Sequence, residues 1–178
     1  MARLSSVKIR RFLDFSVNSP STADQGKALE DLICYLFGKI PGVSIAKRNA
    51  LNIFQSEELD VALWNDRYPK GLPFLPNLIL LECKNWSTPV DSASVSWFDS
   101  KLRTRGLTFG ILFAANGITG NATERTSAHQ IITHALREQR QLIVITKREL
   151  EFLTDTLKLV HLIKEKLCEL AVAGTVLP

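Results

Sequence analysis

Residues 78–84 read Leu78-Ile79-Leu80-Leu81-Glu82-Cys83-Lys84, four aliphatics running directly into an acid and a base two positions apart. Side chains on a strand alternate between faces, so Glu82 and Lys84 project together. The aliphatic run is apolar on both faces, the pattern of a strand buried inside an α/β protein. A carboxylate and an ammonium at the end of such a strand are costly to desolvate unless something compensates. A divalent cation and a phosphate ester would supply that compensation. The strand end therefore has the make-up of a phosphodiester-cleaving site.

Working upstream, Leu59, Val61 and Leu63 alternate with Glu58, Asp60 and Ala62, which predicts a half-buried strand with Asp60 on its polar face. Glu57 and Glu58 read as a solvated turn. A loop rich in Pro, Gly and Asn over residues 65–77 separates the two strands. They are expected to pair antiparallel, which would bring Asp60 beside Glu82. Two adjacent carboxylates repel unless one is protonated or a cation lies between them. Magnesium takes hard oxygen ligands in octahedral geometry and keeps several waters. Asp60, Glu82 and the backbone carbonyl of Cys83 would offer it, or manganese in its place, three protein oxygens. Lys84 would lie near the metal-bound water, placed to orient or deprotonate it or to stabilise a pentavalent phosphate. Glu30, on a core-facing helix, is a candidate further ligand or holder of a metal-bound water.

The remaining pattern supplies the frame. Residues 1–20, with Arg3, Lys8, Arg10 and Arg11, form a basic lead-in, either a short helix or an arm. Ala28, Leu29, Leu32, Ile33, Leu36 and Phe37 recur at helical spacing over about 25–37, and Gly38 and Pro41-Gly42 end that helix. A short strand over 43–46 leads to Lys47 and Arg48. Val95, Phe98 and Leu102 stripe a helix over about 92–103, and 107–115 is a second buried strand closed by Asn116-Gly117. Asn121 followed by Glu124 has the form of a capping box for a helix reaching about Gln139. A last strand over 142–146 precedes one long helix over 147–170. Strands alternating with helices predict an α/β fold with a mixed central sheet flanked by helices.

Length and composition agree with one domain spanning residues 1–178 and long enough for a sizeable core. The apolar runs are too short to span a membrane, and no signal peptide is evident, so a cytoplasmic protein is expected. Cys34, Cys83 and Cys168 are widely spaced and odd in number, which argues against structural zinc and disulfides. A net charge of +4 permits a nucleic-acid partner without requiring one.

The order Glu30, Asp60, Glu82-Cys83-Lys84 resembles the PD-(D/E)xK nuclease superfamily. The stretch from Leu81 to Gly120, including Glu-Cys-Lys-Asn-Trp, Trp97-Phe98 and Asn116-Gly117-Ile118-Thr119-Gly120, is similar to Mrr-like restriction endonuclease domains. The resemblance covers about residues 24–146. It implies a restriction-endonuclease-like αβββαβ core and magnesium-dependent cleavage of DNA leaving 5′-phosphate ends. It also implies metal-binding and catalytic roles for Asp60, Glu82 and Lys84, with Glu30 as the auxiliary acid. Two departures stand out. Leu59 occupies the place of the motif's proline, and the helix over 92–103 lacks the glutamine signature of many Mrr-like domains.

Other residues admit two readings. Lys101, Arg103 and Arg105 either meet DNA phosphates or form a solvated helix end, and the same pair of readings applies to Lys47 and Arg48. Trp86 stacks on a base or anchors a loop. The Asn-Gly-Ile-Thr-Gly turn presents amides to a phosphate or is a plain strand-to-helix turn. His129, His134 and His161 read as structural. The stripe Leu150, Leu153, Leu157, Val160, Ile163, Leu167 and Leu170 either covers the core or forms a homodimer interface. Sequence specificity would then come from this domain, the N-terminal arm or a partner subunit. Rival functions are a structure-selective repair or junction nuclease, a nuclease of RNA, and a non-catalytic nucleic-acid-binding subunit of the same fold.

Overall fold

In a computed structural model, residues 2–51, 58–121 and 126–176 are described. Five strands form one sheet in the order β1(Val43–Leu51), β2(Glu58–Asn65), β3(Leu78–Lys84), β4(Phe109–Ala114), β5(Gln141–Ile145). The first three run antiparallel to their neighbours, whereas β3, β4 and β5 are parallel. Parallel neighbours need crossovers, and α3(Ser92–Thr104) and α4(Ala128–Arg137) supply them. On the other face lie α2(Thr22–Phe37) and α6(Thr156–Ala173), with α1(Ser6–Asn18) against α2 and α5(Lys147–Glu151). The fold is thus a mixed sheet flanked by helices, with the restriction-endonuclease-like order α2-β1-β2-β3-α3-β4.

Three of the helices, α1, α2 and α3, start at a capping side chain. Ser5, Ser21 and Asp91 accept from the amides of Lys8, Asp24 and Ser94. The basic lead-in is therefore a helix. Asn85, immediately after β3, donates to the carbonyls of Ser16 (2.7 Å) and Gln25 (2.9 Å). That one amide fixes the α1–α2 corner to the end of the strand that carries Glu82 and Lys84.

Three elements differ from expectation. β1 runs on to Leu51, with a shift in register between Ile45 and Lys47, so Lys47 and Arg48 belong to the strand. α4 begins at Ala128 after Ser127, without a side-chain cap; Glu124, the distal half of the expected capping box, lies outside the described residues. The helix expected over 147–170 is two. A Thr146–Glu149 capping box opens α5, and Asp155 caps α6 afresh by accepting from Lys158 N (3.0 Å). Residues 2–4 enter this break. Leu4 N donates to Thr154 O (2.9 Å) and Thr156 N to Ala2 O (3.0 Å).

Most of the C-terminal apolar stripe is buried in the core. Leu150, Leu153, Val160, Ile163 and Leu170 all belong to it, Leu167 is half-buried, and Leu157 is 37% exposed. The stripe thus closes the chain's own core and is not left free as a homodimer face. The Asn116–Gly120 turn is likewise committed internally. Gly117 N donates to Ala114 O and Thr119 N to Val90 O, and the next helix among the described residues begins at Ala128.

Packing of α3 on the sheet depends on Gly110. A Cβ there would lie 2.8 Å from Phe98 Cζ and 2.9 Å from Leu102 Cδ1. Gly110→Ala should therefore destabilise the fold by about 1–3 kcal/mol in equilibrium denaturation. An unchanged midpoint would mean that α3 is not held this closely.

Candidate active site

Alternation along β3 sends Leu80, Glu82 and Lys84 towards α3 and Leu81 and Cys83 towards α2. β2 and β3 pair with Val61 opposite Leu81, so the next step along the two strands carries Asp60 to Glu82. The Asp60 carboxylate accepts from Cys83 N at 2.6 Å. Glu82 is 2% exposed, and each of its oxygens meets an ammonium. Lys84 Nζ lies 2.9 Å from Oε1, and Lys101 Nζ lies 2.8 Å from Oε2. Lys101 also donates to the carbonyl of Glu58 (2.7 Å).

Electrostatics follow from this crowding. Burial raises the Asp60 carboxyl from 3.8 to about 6, and the Glu82 charge pushes the same way. The Cys83 amide, Lys84 and Lys101 pull in the opposite direction without cancelling it. For Lys84, burial alone would lower the pKa, but contact with Glu82 and the nearby Asp60 outweigh it and hold the ammonium charged. Burial pushes the Cys83 thiol well up, reinforced by Asp60, Glu30 and Glu82, so it remains a neutral thiol.

Glu30 does not join the other two carboxylates. Its Oε2 accepts from Arg48 Nε (3.3 Å) and Nη2 (3.2 Å), while Asp31 takes the other arm of the same guanidinium. With its amide turned to satisfy both neighbours, Asn49 donates to Glu30 Oε2 (3.0 Å) and to the backbone carbonyl of Asp60 (3.3 Å). Asn49 has a φ of 46°, a left-handed conformation inside β1 that asparagine tolerates. Among the described residues, no three His, Cys, Asp or Glu side chains are grouped to hold a metal. Glu30 stands on α2 with its carboxylate turned to Arg48, apart from the Asp60–Glu82 pair.

The expected DNA contacts divide. Lys47 and Arg103 are exposed. Arg48 is engaged with Glu30 and Asp31. Arg105 turns back along its helix to the Lys101 carbonyl (3.0 Å). Trp86 is 40% exposed, with Lys84 Nζ 5.9 Å from its ring centre, and its carbonyl accepts from Asn116 (2.6 Å). Lys101 is the largest departure. Expected at a helix end near solvent, it is 3% exposed and bonded to Glu82. The signal was present in the spacing, since Lys101 stands three residues after Phe98 and beside Leu102, on the core-facing stripe. No equivalent pattern in the sequence points to the Arg48–Asn49 clamp on Glu30.

Two hard carboxylates and the Cys83 carbonyl fit a magnesium ion that keeps its remaining positions for water and phosphate. The raised Asp60 marks a carboxylate whose ionised form lacks compensation, which a divalent cation would provide. Concavity alone would point elsewhere. A cavity of about 540 Å³ between α1 and α2 is lined by Lys8, Phe12, Phe15 and Lys27 and holds none of the paired carboxylates.

Two comparisons with known proteins were informative. A family model described as restriction endonuclease, of the Mrr catalytic type, matches residues 25–146, which span α2 to β5. A search of curated proteins gives no match.

Asp60 binds its proton more tightly in the folded chain than in the unfolded one. Its contribution to stability is therefore fully present below about pH 4 and is lost as pH rises through about 6. In EDTA, Asp60→Asn should gain on the wild type by about 1–3 kcal/mol across that window in denaturant titrations. A difference that stays constant with pH would refute the shift.

Proposed function

The chain belongs to the restriction endonuclease family of the Mrr catalytic type, and we propose that it is a magnesium-dependent endonuclease hydrolysing DNA phosphodiesters in defence against foreign DNA. The observation that carries this reading is the meeting of Asp60, Glu82 and Lys84 at the end of a buried strand. Asp60 and Glu82, with the Cys83 carbonyl, would hold the magnesium, and manganese would substitute. Bound there, such an ion acidifies a coordinated water and neutralises charge on the phosphate.

The protein's own groups do the rest. Asp60 must release its proton before it can ligate, which ties activity to pH values above about 6. Lys84 leaves Glu82 Oε1 and turns its ammonium to the scissile phosphate, where a charged donor stabilises the developing negative charge. Its held charge suits it to that role better than to accepting a proton. Glu30 acts through Arg48 and Asn49, anchoring β1 beside Asp60. Lys47, Arg103 and Trp86 are the exposed contacts for the duplex, and Arg48 joins them only if it leaves Glu30. The basic net charge favours encounter with DNA. Residues 1–178 act as one domain in the cytoplasm, where the substrate lies, and specificity comes from this domain or a partner subunit.

Supercoiled plasmid tests the reading. Nicking or linearisation should require magnesium or manganese, stop in EDTA and fall away below about pH 6. Asp60→Asn, Glu82→Gln and Lys84→Ala should each slow it by roughly 100-fold or more while remaining folded. A fully active Lys84→Ala protein would sink the mechanism.

A further inference from the structure

Lys101 has no role in the chemistry above, yet it is among the most deeply buried charges in the molecule. Its side chain is 4% exposed against 25% for Lys84. Two of its three donors are placed, one on Glu82 Oε2 (2.8 Å) and one on the Glu58 carbonyl (2.7 Å). Lys84 can swing towards solvent or substrate, whereas Lys101 is pinned between β2 and β3 by the packing of Phe98 and Leu102 on Gly110.

We infer that Lys101 is a positioning residue that acts as a built-in cation of the site, fixing Glu82 so that it serves one divalent ion and excludes a second. The inference rests on the metal-dependent reading above. It follows from which oxygens remain. Asp60 Oδ2 is committed to the Cys83 amide and Glu82 Oε2 to Lys101. Among the described residues, Asp60 Oδ1 and Glu82 Oε1, the latter once Lys84 moves, are left for metal. A pair of ions about 3.5–4 Å apart needs carboxylate oxygens for both. The second would have to share Oε2 with an ammonium already in contact, at the cost of strong like-charge repulsion in a buried site. Charge points the same way. Two carboxylates are balanced by two lysines, so one divalent ion matches the dianionic pentavalent phosphate and leaves the site neutral.

Two measurements test this without relying on cleavage. Manganese binding to the wild-type chain, counted by electron paramagnetic resonance up to millimolar concentration, should saturate at one ion per chain. Two ions, or none, would overturn the inference. Thermal unfolding supplies the second arm. In EDTA, Lys101→Met should melt about 6–15 °C below wild type, because Glu82 loses its fixed partner. Millimolar manganese should recover most of that loss. Lys101→Met/Glu82→Gln should recover it without metal and respond little to manganese. A Lys101→Met deficit that is the same with and without manganese would make Lys101 a structural ion pair only and overturn the assignment. If Lys101→Met does not fold, Lys101→Arg keeps the charge and should bind one manganese, and a gain of a second ion there would overturn it too. A chain that cuts no DNA but binds one ion and shows the metal-dependent rescue would fail the nuclease reading and keep this one.

Discussion

Glu82 is the constraint around which the structure is arranged. A carboxylate at the end of a strand flanked on both faces is costly to bury without positive charge at contact distance. The chain provides it twice, from Lys84 two residues on and from Lys101 on the helix that follows. Meeting the second condition requires α3 to lie close over β4, which is why a glycine stands at position 110. It also requires β2 to pair with β3 in the register that carries Asp60 to Glu82. The crossover, the glycine and the strand register therefore serve one buried acid.

The site carries a surplus of compensation on the cationic side and a deficit at Asp60. Glu82 is matched oxygen for oxygen, whereas Asp60 accepts from one amide among the described residues and remains easier to protonate than an ordinary aspartate. The asymmetry separates the two carboxylates by environment, one structurally neutralised and one waiting for a cation.

Much of this was legible in the sequence. Hydrophobic alternation and the Glu-x-Lys ending located β3, and loop length predicted its antiparallel pairing with β2. What escaped was tertiary. The Lys101 side chain turns inward, as its position beside Leu102 on the core-facing stripe announces, whereas a charge on a terminal helical turn suggests either a DNA contact or a solvated end. Arg48 and Asn49 depended on a register shift in β1 and a left-handed residue, neither of which a pattern of side chains encodes. The single C-terminal helix failed because apolar periodicity continued through residues 152–155, while the local signal, an Asp155 cap after Thr154, was weaker than the stripe. The same stripe suggested a dimer face because period alone does not say which surface is covered.

The seating of Ala2–Leu4 in the break between α5 and α6 bears on how the chain is made. Ala2 N donates to Thr156 Oγ1 across 154 residues, beside the backbone bonds of Leu4 and Thr156. On a ribosome adding 5–20 residues per second, that partner emerges roughly 8–30 s after the segment it holds. The strands bearing Asp60, Glu82 and Lys84 are synthesised within that interval. Residues 2–4 thus wait for a partner made after all five strands, and their contacts close only once the break between α5 and α6 has been translated.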